Sequence, residues 1–235
     1  MLDTGGVGKL AMDLADMARN LLAQPTVDDT LERIVAYAVE LVDGCEAAGI
    51  LAVQDGHVET VVATDGVVRV SDRIQGELGE GPCLDAEQDR QPVYRIADMS
   101  SVGDRWARYA PKACEVGIGS MMGFLLYTHG HADLGALNLY SSQTNAFTET
   151  SEYTGWLLAS HAAVALSSAR HDADLHEALA TRQHIGEATG FVMARYNLTR
   201  GDAFDRIVKA SQNNNIKVRD LARLIKETGE LPESP

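Results

Sequence analysis

Apolar residues recur along this chain with two different periods, and these periods divide it into helices and strands. Near the start they come at steps of four, three and four, at Leu10, Leu14, Met17 and Leu21. That spacing predicts a helix over residues 9–22 with a narrow apolar seam. A second helix is predicted from Thr26 to Gly44. The seam suits pairing with another helix, either within the same domain or across a dimer.

The middle of the chain carries short apolar runs that alternate with polar residues, as in half-buried strands. The Asp-Gly pair at positions 55 and 56 indicates a hairpin turn between the first two runs. The layout of helix, hairpin, connecting insert, hairpin and helix predicts an α+β fold with an antiparallel sheet covered by helices. Strands are predicted over residues 47–53, 57–63, 92–96, 120–127 and 134–141, and short helices over 67–78, 85–89 and 109–116.

The pattern after Thr148 is helical again. Thr148 is the predicted N-cap of a long helix, and no proline occurs between Glu152 and Arg195, so one helix can link the sheet domain to the C-terminal region. Apolar and small residues share one face of it, at Leu158, Ala162, Ala165 and Ala169. We predict that this face forms a parallel dimer stalk. The alternative is that residues 157–166 pack on the sheet.

The stretch from Arg182 to Arg223 predicts three short helices. The first ends near Tyr196, and the second begins at Thr199, with Asp202 completing a variant of the capping box. An apolar stripe of Ala203, Phe204, Ile207, Val208 and Ser211 is predicted to face inward, and the amide run Gln212–Asn215 is predicted to break this helix. The third helix ends at Gly229.

The residue types in this stretch follow a specific order: R-x-x-IG-x-A-x-G-x-x-M, then AF, then SQ-x-x-N-x-K-x-RD-x-A. This pattern resembles the ANTAR family, whose small three-helix modules bind RNA hairpins and prevent transcription termination. One departure is Thr189, where a lysine is common in the family. The resemblance implies an RNA-binding surface made of Arg182, Gly186, Ala188, Gly190, Ser211, Gln212, Asn214, Asn215, Lys217, Arg219 and Arg223.

These residues divide into three chemical groups. The cations Lys217, Arg219 and Arg223 suit RNA phosphates, and the amides of Asn214 and Asn215 suit the base edges that unpaired loops expose. The small residues on the first helix allow an RNA backbone, or equally a neighbouring helix, to come close. Ser211, Gln212 and Asn213, which precede Asn214 on the second helix, have a simpler alternative role as helix caps.

Three further segments resemble a second family. These segments are similar to parts of the GAF domains of actinobacterial regulators. They are ELGEGPCLDA at 77–86, RW-x-x-YAP at 105–111 and ADLGALNLYSSQTNAF at 132–147. The apolar period at the start and the two resemblances together predict an N-terminal helix at 1–25, a GAF sensory domain at 26–168, and an ANTAR domain with a helical stalk at 169–235. GAF domains bind cyclic nucleotides, haem, bilins or small metabolites, so the ligand and any cofactor stay unknown.

The charge distribution bears directly on RNA binding. The net charge is −14, and residues 1–169 carry all of the excess; residues 170–235 have ten basic and ten acidic residues. RNA binding needs a local positive face rather than a basic protein, so we expect modest affinity. No apolar run approaches the roughly 20 residues of a membrane span, and the N-terminal residues do not predict a signal peptide.

The cysteines indicate a reduced, cytoplasmic protein. Cys45, Cys83 and Cys114 cannot all pair within one chain, and no metal-ligand spacing is present. A thiol oxidoreductase is one alternative, because free methionine sulfoxide reductases also use a GAF fold. However, Glu80, Asp85 and Glu87 lie near Cys83 in sequence and are predicted to raise the pKa of its thiol.

The sequence therefore predicts a non-enzymatic, homodimeric, cytoplasmic regulator. A small-molecule signal of unknown identity acts on the GAF domain, and two ANTAR modules bind tandem RNA hairpins through their single-stranded loops. No membrane, metal or catalytic residue is predicted. A second alternative is a ligand-binding module that acts through protein contacts, with the C-terminal helices serving only as a dimer cap.

Overall fold

The computed structural model of the chain describes residues 4–54, 57–89, 92–128 and 131–232. Contacts divide the chain into a sheet unit, residues 1–170, and a helical unit, residues 171–235. The predicted turn at Asp55 and Gly56 lies outside the described residues. The helices are α1 Thr4–Leu22, α2 Val27–Leu41, α3 Gly66–Leu78, α4 Pro82–Asp89, α5 Tyr109–Glu115, α6 Glu149–Tyr196, α7 Arg200–Asn214 and α8 Val218–Thr228; the strands are β1 Ala47–Gln54, β2 His57–Ala63, β3 Val93–Ile96, β4 Ser120–Thr128 and β5 His131–Ser141.

The five strands form one antiparallel sheet in the order β2-β1-β5-β4-β3. Leu137 on β5 lies opposite both Ile50 on β1 and Phe124 on β4, so the central strand is paired on both sides. Ile50 and Leu51 lie on opposite faces of the sheet, as alternation along a strand requires, and the pairing of β1 with β2 shifts register between them. The predicted α+β class with an antiparallel sheet is confirmed.

The sheet carries a separate hydrophobic core on each face. Alternation along β4 sends Met122 and Phe124 into the core shared with α1, α2 and α6, while Met121 enters the core shared with α3 and α5. The apolar seam of α1 belongs to the first of these cores, where Met17 is fully buried. This seam therefore packs within its own domain, which is one of the two alternatives that the sequence predicts.

The sheet-unit part of α6 packs on the sheet with the same face that the sequence predicts for the dimer stalk. Leu158, Ala162 and Ala165 are buried in the core against the sheet, so the prediction that they form a dimer stalk is wrong. The small alanines serve instead to bring the helix close to the sheet. Other apolar side chains of α6 face solvent, at Tyr153, Trp156, Leu157 and Val164.

The helical unit has its own core, to which the end of α6, α7 and α8 all contribute. The first of the three predicted short helices is the end of the 48-residue α6. Thr199 caps α7 as predicted: its hydroxyl accepts a hydrogen bond from the Asp202 backbone N–H. The amide run ends the helix as predicted: α7 stops at Asn214, inside the run, and its C-cap Asn215 has a left-handed φ of 52°. Gly229 ends α8 with a φ of 68°.

Candidate nucleic-acid interface and the interior of the sheet unit

The turn between α7 and α8 presents several of the predicted RNA-binding residues to solvent. Gln212, Asn215 and Lys217 are all exposed there. The turn is held from within, because the Ser211 hydroxyl donates to the Ile216 carbonyl and the Ile216 N–H donates to the Ser211 carbonyl. The exposed amides and the lysine are thus carried on a fixed backbone, which lowers the entropy cost of binding.

The three predicted phosphate-binding cations are not equivalent. Arg219 is paired with Glu177 at 2.9 Å and with Asp220 at 3.7 Å. Lys217 and Arg223 are exposed, and within residues 171–232 no ion pair involves either of them. The two unpaired cations are therefore better placed to meet phosphates than Arg219.

Two of the other predicted contacts are buried. Ala188 is fully buried in the core of the helical unit, and Ser211 is buried with its hydroxyl engaged in the turn. Their side chains are not available to RNA, so the prediction is wrong for both. Thr189 is also buried, and its hydroxyl donates to the Ile185 carbonyl at 2.6 Å. The position where the family commonly has lysine thus points inward here.

The remaining predicted residues on α6 and α7 lie at the surface to different degrees. Arg182, Gly186 and Gly190 are exposed, and a Cβ added to either glycine would meet no atom within 4 Å. Asn214 is half-buried, and its amide donates to the Ala210 carbonyl at 2.9 Å, which is a capping contact rather than a free recognition group. Phe204, assigned to the inward stripe of α7 by spacing, is instead 41% exposed.

In the sheet unit, two of the segments that resemble GAF domains, 77–86 and 105–111, are joined by hydrogen bonds. The Glu80 carboxylate accepts hydrogen bonds from the backbone N–H groups of Arg108 and Tyr109 and from the Arg108 side chain. Asp85 accepts from Arg105 Nε at 3.1 Å and from Trp106 Nε1 at 3.0 Å. The hydrogen bonds to Glu80 lower its pKa, and the bond from the Arg108 backbone N–H is the largest cause. Both carboxylates therefore fix the loop before α5.

Cys83 lies at the centre of a buried polar network rather than at a reactive site. Its thiol accepts hydrogen bonds from Gln75 Nε2 at 3.2 Å and Asn138 Nδ2 at 3.1 Å, and Tyr94 Oη donates to Asn138 Oδ1 at 2.8 Å. Burial raises the pKa of the Cys83 thiol to about 12, and the charge of Asp72 contributes. The expected direction is right, but its cause is burial.

The predicted role of the neighbouring acidic residues at Cys83 is not supported. Glu80 and Asp85 are turned toward the loop before α5, and the side chain of Glu87 lies outside the described residues. A thiol with so high a pKa is almost entirely protonated at neutral pH and is a poor nucleophile. In the described chain Cys45 and Cys83 are buried and free, and Cys114 is exposed and free.

Asp72 is a buried carboxylate in the same region. It accepts hydrogen bonds from Thr60 Oγ1 at 2.7 Å and Tyr140 Oη at 3.1 Å. Burial raises its pKa from 3.8 to about 6, and the two hydroxyls and the charge of Arg69 only partly offset this. Ser71, next to it on α3, is hydrogen-bonded to the Tyr109 hydroxyl at 2.8 Å. Every buried side-chain nitrogen or oxygen of the described residues has a partner, so this interior is satisfied by the protein's own groups.

A cavity of about 340 Å³ opens at one edge of the sheet unit, lined by residues that include Glu46, Asp65 and Tyr140. Glu46 accepts from the Ser142 N–H and Asp65 from the Val67 N–H, so both carboxylates already support the local backbone. Within the described residues, no cluster of three His, Cys, Asp or Glu side chains could hold a metal ion. No helix there is long and apolar enough to cross a bilayer.

Comparison with known families accounts for both units. Residues 24–167 match the profile of the GAF domain, and this match covers more than half of the chain. This chain belongs to the GAF domain family. Residues 173–225 of the GAF protein match the ANTAR domain, so the suspected order of a GAF domain followed by an ANTAR domain is confirmed. Together they are the sensory and regulatory domains of a signal-responsive regulator.

Solved structures show the same fold at low sequence identity. A GAF domain of a phosphoenolpyruvate-protein phosphotransferase from Coxiella burnetii is 19% identical, with a TM-score of 0.55 over 70% of this chain and 96% of that one. The photosensory core module of a Stigmatella aurantiaca phytochrome is 13% identical, with a TM-score of 0.62 over 93% and 47%. A free methionine-R-sulfoxide reductase from Neisseria meningitidis is 15% identical, with a TM-score of 0.50 over 68% and 89%. A search of curated proteins found no match.

Proposed function

We propose that this GAF protein is a signal-responsive RNA-binding regulator that promotes transcription antitermination by holding RNA hairpins. The observation that carries the proposal is the turn of the ANTAR unit, where exposed amides at Gln212 and Asn215 lie close in sequence to the exposed cation Lys217, and α8 adds the exposed cation Arg223. A small molecule of unknown identity acts on the GAF unit. Because nascent transcripts are the target, the protein acts in the cytoplasm and needs no catalytic residue.

The chemistry of the turn suits a hairpin loop better than a helical stem. Cations contact phosphates without regard to sequence, whereas amides read the edges of unpaired bases. The major groove of an RNA stem is too narrow for side chains to read, but a loop exposes its bases. A neutral ANTAR unit joined to an acidic GAF unit limits non-specific attraction, so selectivity depends on the loop contacts.

The cation contribution is tested with the double variant Lys217→Ala plus Arg223→Ala. We expect the slope of log K against log salt concentration to become shallower by roughly one to two. Each phosphate contact releases slightly less than one counterion, and the variant loses up to two such contacts. The measurement is fluorescence anisotropy with a labelled two-hairpin RNA selected in vitro for binding to the wild-type protein, across a salt series.

Two matched variants sharpen this test. Lys209→Ala removes an exposed cation of α7 that lies before the turn, and it should leave the slope unchanged. Arg219→Ala should change the slope less than either turn cation, because Arg219 is already paired with Glu177 and Asp220. Equal slopes for the double variant and the wild-type protein would refute the assignment of these cations.

We also propose a homodimer, with its contact on the solvent side of α6. Tyr153, Leu157 and Val164 follow one another at steps of four and seven, so they share a helix face, and each is about half exposed or more. Leu175 and Leu179, in the ANTAR-unit part of the helix, are exposed as well. A repeated apolar face on a helix is typical of helix pairing.

The double variant Leu157→Asp plus Val164→Asp should yield monomers, because two buried carboxylates on each protomer would face each other across the contact. Sedimentation velocity at micromolar concentration measures the change. Val61→Asp alters an exposed valine on β2 and should leave the association state unchanged. A dimer that survives the double change would place the contact elsewhere.

The oxidoreductase alternative loses its support in the structure. Cys83 is buried, accepts two hydrogen bonds and has a strongly raised pKa, which is the opposite of an activated thiolate. The likeness to a sulfoxide reductase extends to the fold alone. The protein-contact alternative is decided by the RNA assay, since it requires that the wild-type protein select no RNA.

A further inference from the structure

Phe204 is an exposed aromatic residue on α7 with polar side chains on the same side of the helix. The buried face of α7 is made of Ala203, Ile207 and Ala210, and Phe204 lies one helix position away from it, with 41% of its surface exposed. A single exposed aromatic is common on protein surfaces and proves nothing alone. What distinguishes this ring is the set of side chains that share its side of the helix.

Those side chains form one line along α7, which we call the α7 stripe: Arg200, Phe204, Val208 and Gln212, followed by Asn215 at the helix end. Steps of three and four keep them on one side of the helix. Arg200, Gln212 and Asn215 are exposed, and within residues 171–232 no ion pair involves Arg200. Phe204 and Gln212 are separated by roughly 12 Å along the axis.

The ring is also open to an incoming flat group. Gly201 lies one turn before Phe204, and a Cβ built there would meet only the Thr199 hydroxyl, at 3.9 Å. The glycine leaves the surface low on the N-terminal side of the ring.

From this arrangement we propose that Phe204 is a base-stacking residue: its ring receives an unpaired base of the hairpin loop, Arg200 contacts a phosphate about one turn earlier on α7, and Gln212 and Asn215 contact the edges of other loop bases farther along the helix. The inference rests on the proposed RNA-binding function and adds a residue to it. The stripe therefore offers groups for a phosphate, for the face of one base and for the edges of neighbouring bases, and every base has a flat face that stacks on an aromatic ring.

The neighbours of Phe204 favour RNA over a protein partner. Aromatic anchors of protein interfaces lie in an apolar, well-packed patch with charged residues kept to the rim. Of the exposed residues next to the ring, Arg200 is basic, Gly201 has no side chain and Asp205 is acidic, and the only other apolar member of the stripe is the half-buried Val208. A base face and its phosphate use this mixture, whereas an apolar protein anchor would find no companion to Phe204.

The test uses the full chain and the two-hairpin RNA selected as above. Phe204→Ala should weaken binding by roughly 5- to 100-fold, as expected for one lost base stack, with no change in the salt slope. Phe204→Leu should weaken it similarly, because leucine keeps apolar bulk without an aromatic face, while Phe204→Tyr should keep near-wild-type affinity. Because the ring is exposed, helix content by circular dichroism should be equal in all four proteins.

Two probes connect the effect to a base. An abasic site at the stacked loop position should weaken binding to the wild-type protein but not to Phe204→Ala, so the two changes should not add. 2-Aminopurine at that position should be quenched on binding the wild-type protein and not on binding Phe204→Leu.

Each failure has a separate meaning. Wild-type affinity in Phe204→Ala or Phe204→Leu, or additive effects of the protein and RNA changes, would overturn the stacking role and leave RNA binding in place. Unchanged RNA affinity together with altered self-association in Phe204→Ala would make the ring a protein contact and overturn the inference. Failure of the wild-type protein to select any RNA would overturn the proposed function and this inference together.

Discussion

Replacing Asp72 with asparagine is expected to stabilise the GAF unit at neutral pH by up to about 3 kcal/mol and to have little effect near pH 4. The pKa of Asp72 is raised from 3.8 to about 6 because burial disfavours its charged form. A pKa difference of one between the folded and unfolded states corresponds to about 1.4 kcal/mol. Asparagine imitates the neutral acid at every pH, and its amide can still bond to both the Thr60 and the Tyr140 hydroxyls.

The direction follows from proton binding. A raised pKa means that the folded protein binds the Asp72 proton more tightly than the unfolded chain does, so the contribution of Asp72 to stability is greatest below pH 3.8. It falls as the pH rises through about 6, where the buried carboxyl loses its proton. The stability curves of wild-type protein and Asp72→Asn should therefore separate between about pH 4 and pH 7 and run parallel above it.

Urea unfolding followed by tryptophan fluorescence measures this difference. Both tryptophans, Trp106 and Trp156, lie in the GAF unit, so the signal reports that unit alone. Asp98→Asn is the matched control of opposite sign. Hydrogen bonds from Ser100 and Ser101 lower the pKa of Asp98, so its removal should destabilise the unit at neutral pH and have less effect in acid. Parallel curves for Asp72→Asn at all pH values would contradict the buried charge.

The sequence predicted the elements well because each one is determined by neighbours within a few residues. Thr199 and Asp202 signal the start of α7 by their spacing alone, and Gly229 signals the end of α8. The hydrophobic periods correctly identified the strands of the sheet. These signals need no knowledge of what packs on the element.

The errors occur where a position has two acceptable partners. The period of α6 identified Leu158, Ala162 and Ala165 as one face, but a period does not say whether a sheet or a second protomer covers that face. Phe204 and Ala203 are adjacent at the edge of the apolar arc, and only the packed α7 decides that the alanine turns in and the larger ring turns out.

The buried network of the GAF unit was beyond sequence reasoning for a different reason. Asp72 and Tyr140 are separated by 68 positions, and Cys83 and Asn138 by 55. No local spacing connects such pairs, and a lone buried aspartate has no sequence signature. The resemblance to GAF domains marked the segments that carry Cys83, Asn138 and Tyr140, but the contacts among them are visible only in the fold.

Replacing Gly123 with alanine is expected to destabilise the GAF unit by about 2–4 kcal/mol. Gly123 on β4 lies directly opposite Tyr94 on β3, and a Cβ at Gly123 would come within 2.2 Å of the Tyr94 ring. Overfilling a packed core typically costs about 1–3 kcal/mol. Moving the ring would also break the bond from the Tyr94 hydroxyl to Asn138, an amide that donates to Cys83, which adds about 1 kcal/mol.

A double-mutant cycle separates this clash from a general intolerance of alanine in β4. With Tyr94→Ala as the background, the space above Gly123 is empty, so Gly123→Ala should then cost less than about 1 kcal/mol. Gly76→Ala is the control for the same substitution in open surroundings. Its nearest neighbour would be Val58 at 3.8 Å, and in the last turn of α3 the change should be neutral or stabilising.

Urea unfolding with the tryptophan signal of the GAF unit gives all four corners of the cycle. If Gly123→Ala costs as much in the Tyr94→Ala background as in the wild type, the strand itself rejects the methyl group and the ring is not its obstacle. A strong interaction energy would instead show that the glycine is required because Tyr94 crosses β4 to reach Asn138. In that case the ring of Tyr94 fills the space over Gly123, and its bond to Asn138 holds it there.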